Sequence, residues 1–240
     1  MAIAVVIDGA YFLRRFKSRY PFLNPMGPKD VAFGTLWLAA VHLEISEGGT
    51  LPKLSIESGQ LTNMDMSWAE HPGLYRIFFY DCPPLAKRVH LPISRRSLDL
   101  GRTETARPRI AIHEELLTVR KVALRLGRLN EKIGWRAKPD AVERWVANPS
   151  GFGPQDEDFE IDTVQKGVDM RLGLDVASMA FKRQIRQLIL VAGDADFVPA
   201  VKLARREGID VVLDPMGGTP AKDLIANVDG VRNIAKGTAR

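Results

Sequence analysis

The stretch LILVAGDADF, residues 188–197, indicates how this chain folds and where its chemistry lies. Its apolar part is typical of a buried strand, and Gly193 ends it. Asp194 and Asp196 follow at the point where a helix is expected to begin. These two acids could be turn and cap residues, or they could hold a metal ion. The choice depends on whether other acids reach the same place.

Strand and helix patterns alternate along the rest of the chain. Regular segments joined in this way predict a parallel sheet covered by helices on both faces, hence an α/β fold. The middle of the chain, from 83 to about 160, has a weaker pattern, with a short strand and a short helix. We therefore expect one domain over 1–240 with a basic, partly irregular insertion at about 83–160. The predicted strands are 4–7, 74–80, 122–129, 187–192 and 209–214, and the predicted helices are 10–20, 30–46, 140–147, 168–183, 196–207 and 220–228.

The composition is that of an ordinary globular protein. The first apolar run, AIAVVI, is too short for the core of a signal peptide or for a membrane span, so no membrane partner is expected. Cys82 is the only cysteine, which excludes an intrachain disulfide and a thiolate zinc cage. A cytoplasmic protein is the expectation.

Positive charge is concentrated in the middle of the chain. Residues 82–136 contain thirteen Lys or Arg and five acids, although the whole chain has a net charge of only +5. A basic block beside a more acidic remainder suits a protein that holds a polyanion against an acidic centre. A solvated basic surface explains the same numbers, and charge alone does not separate the two.

Three aspartates are expected at the carboxyl ends of strands. Asp8 follows AVVI, and Asp194 and Asp196 follow LILVAG. Ligands of open α/β sheets bind at this edge, where the strand order reverses. Each acid also has a structural interpretation: Asp8 could open a turn with Gly9, and Asp196 could be the N-cap of the next helix.

A fourth acid lies on the predicted helix 168–183. Asp169 shares a stripe with Leu172, Gly173, Val176, Met179 and Ala180 at spacings of three and four, so we expect it to face the sheet. A buried carboxylate needs a compensating cation or hydrogen bonds, although a first-turn acid is also favoured by the helix dipole. Asp175 lies on the flank of this stripe.

Several carboxylates in one crevice repel one another, and a divalent cation removes that conflict. Oxygen ligands favour Mg²⁺ or Mn²⁺. With such an ion, the natural chemistry is hydrolysis of a phosphodiester. The sequence thus suggests a metal-dependent phosphodiesterase before any family is considered.

Three segments carry a resemblance to a known family. VVIDG (5–9), QKGVDMRLGLD (165–175) and LVAGDADFVPAVKLARREGIDVVL (190–213), in this order, resemble the NYN domain family of PIN-like nucleases, and the prokaryotic LabA-type branch in particular. The resemblance implies a PIN-like, Rossmann-like three-layer sandwich with a mainly parallel central sheet. It also implies a metal-dependent endoribonuclease that uses Mg²⁺ or Mn²⁺.

The resemblance assigns roles to particular acids. It implies that Asp8, Asp169, Asp194 and Asp196 are the catalytic metal ligands, and that Asp175 is a further acid of the site. One departure is that family members often have Asn shortly after IDG, where this chain has Ala10 followed by Tyr11.

The expected substrate is RNA, in single-stranded or loop regions. Candidate nucleic-acid contacts are Lys166, which precedes Asp169, Arg125 and Arg128 in the basic block, and Tyr11, whose ring could stack on a base. The sequence allows a homodimer.

Other functions fit less well. The chain has no G-x-x-x-x-G-K-[ST] and no G-x-G-x-x-G after its first strand, which disfavours a nucleotide-dependent enzyme. A phosphatase of the haloacid dehalogenase type needs a second acid where Ala10 stands. The remaining alternative is a non-catalytic RNA-binding or regulatory module that keeps the fold.

Overall fold

The computed structural model describes residues 2–20, 27–52, 55–57, 60–62, 66–129, 134–163 and 165–234, without the side chains of 55–57, 60–62, 165 and 166. The described part contains seven α-helices: α1 (Gly9–Arg19), α2 (Pro28–Glu47), α3 (Ala106–Thr118), α4 (Pro139–Ala147), α5 (Val168–Phe181), α6 (Val198–Arg206) and α7 (Lys222–Asn227). Its strands are β1 (Ala2–Asp8), β2 (Ser55–Glu57), β3 (Gln60–Thr62), β4 (Leu74–Asp81), β5 (Arg88–His90), β6 (Ser97–Asp99), β7 (Val122–Leu126), β8 (Arg128–Leu129), β9 (Gly134–Ala137), β10 (Phe159–Asp162), β11 (Gln165–Lys166), β12 (Ile185–Val191), β13 (Asp210–Asp214) and β14 (Gly230–Val231).

The centre of the molecule is a six-stranded sheet in the order β14-β13-β12-β1-β4-β7. Every pairing in it is parallel, as the alternation of elements predicts. β1 lies between β12 and β4, so both of its edges are hydrogen-bonded, and Ile3 to Ile7 are buried on both faces. The continuous apolar run of β1 is therefore that of a central strand.

Helices cover both faces of the sheet and produce the three layers. Ile3, Val5 and Ile7 of β1 pack on one side with residues of α1, α2 and α3. Ala4 and Val6 pack on the other side with residues of α5, α6 and α7. The alternation along one strand thus supplies both cores, and the α/β three-layer fold predicted from the sequence is confirmed. In the described part of the chain, no helix combines the length and the apolar character needed to cross a bilayer.

The segment 83–160 is more ordered than its sequence pattern suggests. It contains the thirteen-residue helix α3 and the edge strand β7 of the central sheet. Helix α3 was missed because only four of its residues are buried, and one of these four is His113 rather than an apolar residue. A polar residue in the buried stripe breaks the apolar periodicity by which such helices are recognised.

The strand order creates a switch point between β1 and β12. From β1 the chain continues to β4 and β7 on one side, and later to β12 and β13 on the other side. Asp8, Asp81 and Asp214 are the last residues of β1, β4 and β13, and Asp194 comes shortly after β12. Four aspartates thus mark the edge of the sheet where ligands of α/β folds bind.

Candidate functional site

Asp8 ends β1 and begins α1. Its Oδ1 accepts a hydrogen bond from the backbone N–H of Tyr11 at 3.1 Å, so it is the N-cap of the helix. Burial raises the pKa of Asp8, and the carboxylates of Asp81 and Asp169 raise it further, against the lowering effect of backbone hydrogen bonds. The next residue must be glycine, because a Cβ on Gly9 would lie 2.7 Å from the carbonyl oxygen of Tyr80. The IDG motif therefore holds a half-buried carboxylate at the sheet edge.

Asp194 and Asp196 lie in a short 3₁₀ turn between β12 and α6. Asp194 caps this turn, because its Oδ1 accepts from the backbone N–H of Asp196 at 3.3 Å. The interpretation of Asp196 as the N-cap does not hold: α6 begins at Val198 after Phe197, which makes no side-chain cap. The tight turn comes before the helix and needs its cap two residues earlier. The Asp196 carboxylate is exposed, and no described residue donates a hydrogen bond to it.

Asp169 lies in the first turn of α5 and is exposed. Leu172, Val176, Met179 and Ala180 are buried as expected, but the prediction that Asp169 shares their buried position was wrong. Val168, in the same turn, is buried, so the first turn packs on the core through Val168 and leaves Asp169 in solvent. Partial loss of solvent raises the pKa of Asp169, and the carboxylates of Asp196 and Asp194 raise it further. Asp169 thus interacts electrostatically with both acids of the GDADF turn.

Asp175 has a different environment from these four acids. Its Oδ2 accepts from the hydroxyl of Tyr80 at 2.8 Å and from Nε of Arg125 at 2.9 Å. The guanidinium of Arg125 also lies over the ring of Phe78, 5.5 Å from its centroid. The predicted further acid is therefore engaged in a structural ion pair, and the same contact holds Arg125 in place.

A cleft of about 340 Å³ opens at the switch point. Asp8 and Asp194 line it from the two sides of the strand reversal, together with Tyr11, Arg14 and Thr219. The Tyr11 ring is only 7% exposed, and its hydroxyl donates to the carbonyl oxygen of Pro215 at 2.7 Å. The ring packs against Gly193, where any side chain would collide with it. Tyr11 therefore lines the cleft as a packed, hydrogen-bonded side chain. Little of its ring is accessible for the base stacking that we predicted.

The basic candidates lie on the β4–β7 side of the acids. Arg128 is exposed and stands opposite Lys166 in the antiparallel pair of β8 and β11. The side chain of Lys166 lies outside the described residues, but its backbone comes two residues before α5. The pairing of β8 with β11 therefore places two basic positions next to the helix that carries Asp169.

The sequence analysis missed two acids of this edge, Asp81 and Asp214. Asp81 is 2% exposed, with His113 Nε2 2.6 Å from its Oδ2 and an ion pair between its Oδ1 and Arg109. Burial opposes its ionisation, but the hydrogen bonds from His113 and Arg109 outweigh burial and hold the pKa of Asp81 below its usual range. The signal was available, because Asp81 follows the strand LYRIFFY as Asp8 follows AVVI. The pairing of Asp81 with His113 and Arg109 of α3 could not be recognised from the sequence.

The donor set fits a hard divalent cation in type but is not assembled into a coordination shell. Asp8, Asp169, Asp194 and Asp196 provide only oxygen atoms, which Mg²⁺ and Mn²⁺ prefer. Within the described ranges, however, no three His, Cys, Asp or Glu residues are close enough to form a metal-binding group. The residues can therefore hold such an ion only by sharing it with water or substrate oxygens.

Comparison with known proteins gives a family match over part of the chain. Residues 133–234 match the model of the NYN domain, a segment that includes α5, β12 and the GDADF turn. No curated protein matches the chain. No solved structure matches it either. Membership of the LabA-type branch stays a prediction. Residues 133–234 are thus similar to the NYN domain, a family of PIN-like nucleases.

Proposed function

We propose that this protein is a metal-dependent endoribonuclease that hydrolyses RNA at Asp8, Asp169, Asp194 and Asp196. One observation carries the proposal. At the switch point of an NYN fold, Asp8 and Asp194 line one cleft, and Asp169 interacts electrostatically with the other three acids. Three separate segments of the chain thus bring negative charge to one exposed edge, and a cation with a phosphate is the ligand that relieves it.

The cofactor of this proposal is Mg²⁺ or Mn²⁺. Mg²⁺ in phosphoryl-transfer sites keeps several waters and is held by one or two carboxylates together with substrate phosphates. The absence of a three-ligand group among the described residues agrees with that mode of binding. When bound, the ion supplies a nucleophile at neutral pH and stabilises charge on the phosphate oxygens.

The chain's own residues position the reactants. The Asp8 carboxylate is oriented by its hydrogen bond from the backbone of Tyr11, and the Asp194 carboxylate by its hydrogen bond from the backbone of Asp196. The carboxylates of Asp169 and Asp196 are exposed, and no described residue donates a hydrogen bond to either of them. Their oxygens are therefore free to accept hydrogen bonds from a water and to orient it towards the phosphorus. We assign Asp175 to the support of Arg125 rather than to the metal.

Single-stranded RNA is the proposed substrate because the cleft is open and the adjacent cations can contact a flexible backbone. Arg128 and Lys166 lie opposite each other beside α5, and Arg125 is held on the same side. Phosphate contacts of this kind attract any nucleic acid and vary with salt. Whether the protein prefers ribose to deoxyribose, and so RNA to DNA, therefore has to be tested directly.

A non-catalytic RNA-binding module is the second candidate. One observation favours it: Ala10 stands where family members often have Asn. The two functions differ in one respect that can be measured, because only the nuclease changes the covalent structure of the RNA.

The test uses circular single-stranded RNA and the circular DNA of the same sequence, each with Mn²⁺, Mg²⁺ or chelator. The proposal predicts linear RNA products with a metal and none with chelator. Asp194→Asn is the matched control for a contaminating nuclease, because Asn can keep the cap of the turn. Equal cleavage by this variant would remove the activity from the site, and RNA binding without cleavage would establish the second candidate. Cleavage of the DNA alone would refute only the choice of substrate.

The extent of the domain is also proposed. The central sheet draws β1, β4 and β7 from before the matched segment, so we take the domain to span 1–240 with the basic insertion inside it. A homodimer and a cytoplasmic location stay predictions from the sequence.

A further inference from the structure

Arg14 lines the cleft that also contains Asp8 and Asp194. It lies on α1, its side chain is exposed, and no described acid forms an ion pair with it. Its guanidinium carbon lies 5.7 Å from the centroid of the Tyr11 ring, which is itself held by Pro215. A cation that lines the same cleft as two carboxylates, and forms an ion pair with neither, is available to an anion that enters the cleft.

The helix geometry directs Arg14 towards the site. Residues four apart lie on the same face of a helix, so Arg14 stands one turn above Ala10. Long side chains on a helix point back over the preceding turn, and for Arg14 that turn is the one that begins at Asp8. Arg14 thus reaches the region from which Ala10, with its small apolar side chain, contributes no polar group.

Arg14 lies on the opposite side of the acids from the cations described above. Arg125 is on β7, beyond β4 from the central strand. The cleft of Arg14 is also lined by Gly193 and Thr219, which follow β12 and β13 on the other side of β1. The acids are therefore flanked by positive charge in both directions along the sheet edge.

We propose that Arg14 binds a backbone phosphate of the RNA next to the one that is cut, on the β12–β13 side of the acids. A single strand then crosses the sheet edge from Arg128 to Arg14, and the scissile phosphate lies over the acids between two held phosphates. The planar guanidinium suits this role because it can donate two parallel hydrogen bonds to a phosphate. The inference rests on the proposed function for the path of the RNA across this edge.

The test measures binding, so it does not depend on cleavage. The affinity of a labelled single-stranded RNA is measured by fluorescence anisotropy with chelator, over a series of salt concentrations, for the wild type, Arg14→Ala and Arg14→Lys. The matched control is Arg206→Ala, an exposed arginine at the end of α6 near the start of β13, at the opposite edge of the sheet. Thermal unfolding confirms that each variant is folded.

The expected result for Arg14→Ala is a loss of about tenfold in affinity, with a salt dependence reduced by about 0.7, the contribution of one phosphate contact to a single strand. Arg14→Lys should keep the salt dependence and lose part of the affinity, whereas Arg206→Ala should match the wild type. Equal affinity and salt dependence in Arg14→Ala and Arg206→Ala would overturn the inference, as would a wild type that does not bind this RNA. If Arg14→Ala weakens binding but the wild type never cleaves, the nuclease proposal fails and the phosphate site stands.

Discussion

Asp8 has two roles that substitutions can separate. It is the N-cap of α1 and a half-buried carboxylate whose pKa is raised, first by burial and then by Asp81 and Asp169. A raised carboxyl pKa means that the ionised side chain destabilises the folded state at neutral pH. Asn keeps the cap and removes the charge, whereas Ala removes both. We therefore expect Asp8→Asn to be more stable than the wild type in chelator at pH 7.

The N-cap hydrogen bond sets the expected difference in stability between Asp8→Asn and Asp8→Ala. Loss of an N-cap side chain costs about 1 kcal/mol, and for a chain of this length 1 kcal/mol corresponds to a change of about 2–4 °C in Tm. Asp8→Ala should therefore unfold about 2–4 °C below Asp8→Asn. Both variants should lose cleavage, because both lack the carboxylate.

Thermal unfolding followed by circular dichroism measures these changes as a function of pH. As the pH rises from the unfolded carboxyl pKa of about 3.9 through the raised pKa of Asp8, the folded wild type loses stability relative to Asp8→Asn. The advantage of the variant should thus vanish in acid. Added Mn²⁺ should raise the Tm of the wild type and not that of Asp8→Asn. An Asp8→Asn protein that is as unstable as Asp8→Ala at pH 7 in chelator would refute this reasoning.

Two further predictions concern the residues around the cleft. Asp81→Asn should lower the free energy of unfolding, measured by urea denaturation, by about 3 kcal/mol. This value is at the lower end for a broken buried ion pair, because Arg109 is partly exposed and can be solvated by water while His113 stays buried. The pKa of Asp81 is lowered in the folded protein, so its ionised carboxylate stabilises the fold above the unfolded pKa of about 3.9. This stabilisation is lost as the pH falls through the pKa of the folded state. A stability difference between the wild type and Asp81→Asn that stays the same in acid would contradict the ion pair. Gly9→Ala should destabilise the fold by about 1–3 kcal/mol in the same assay, because its Cβ would meet the backbone oxygen of Tyr80, and a neutral substitution would show that the strand end can shift.

The fold could be predicted from the sequence because local patterns determine it. The apolar runs of β1 and β12 are continuous because both strands are buried on both faces, and the stripe of α5 is apolar because it packs on the sheet. The position of the acids followed from the same logic, since Asp8 and Asp194 lie where strands end. Alternation and strand ends are properties of short segments, so they can be recognised without tertiary contacts.

The remaining features depend on contacts between distant segments. Asp169 occupies a stripe position, but only the folded structure shows that Val168 is the buried residue of the first turn of α5 and that Asp169 is exposed. The pairing of Asp81 with His113 joins residues 32 apart, and that of Asp175 with Arg125 joins residues 50 apart. Periodicity contains no information on such pairs. The cap by Asp194 is a local feature, and it was misassigned because a 3₁₀ turn comes before the helix.

The central claim is that the acids of this edge cut RNA, and Asp196→Asn tests it most directly. The Asp196 carboxylate is exposed and accepts no hydrogen bond from a described residue, so its replacement should leave the fold and Tm unchanged. The measurement is the single-turnover rate of RNA cleavage with Mn²⁺, for the wild type and for Asp196→Asn at the same protein concentration. The account predicts a loss of at least about a hundredfold, the scale of removing one group that stabilises the reacting charge. A rate within a few-fold of the wild type would contradict it.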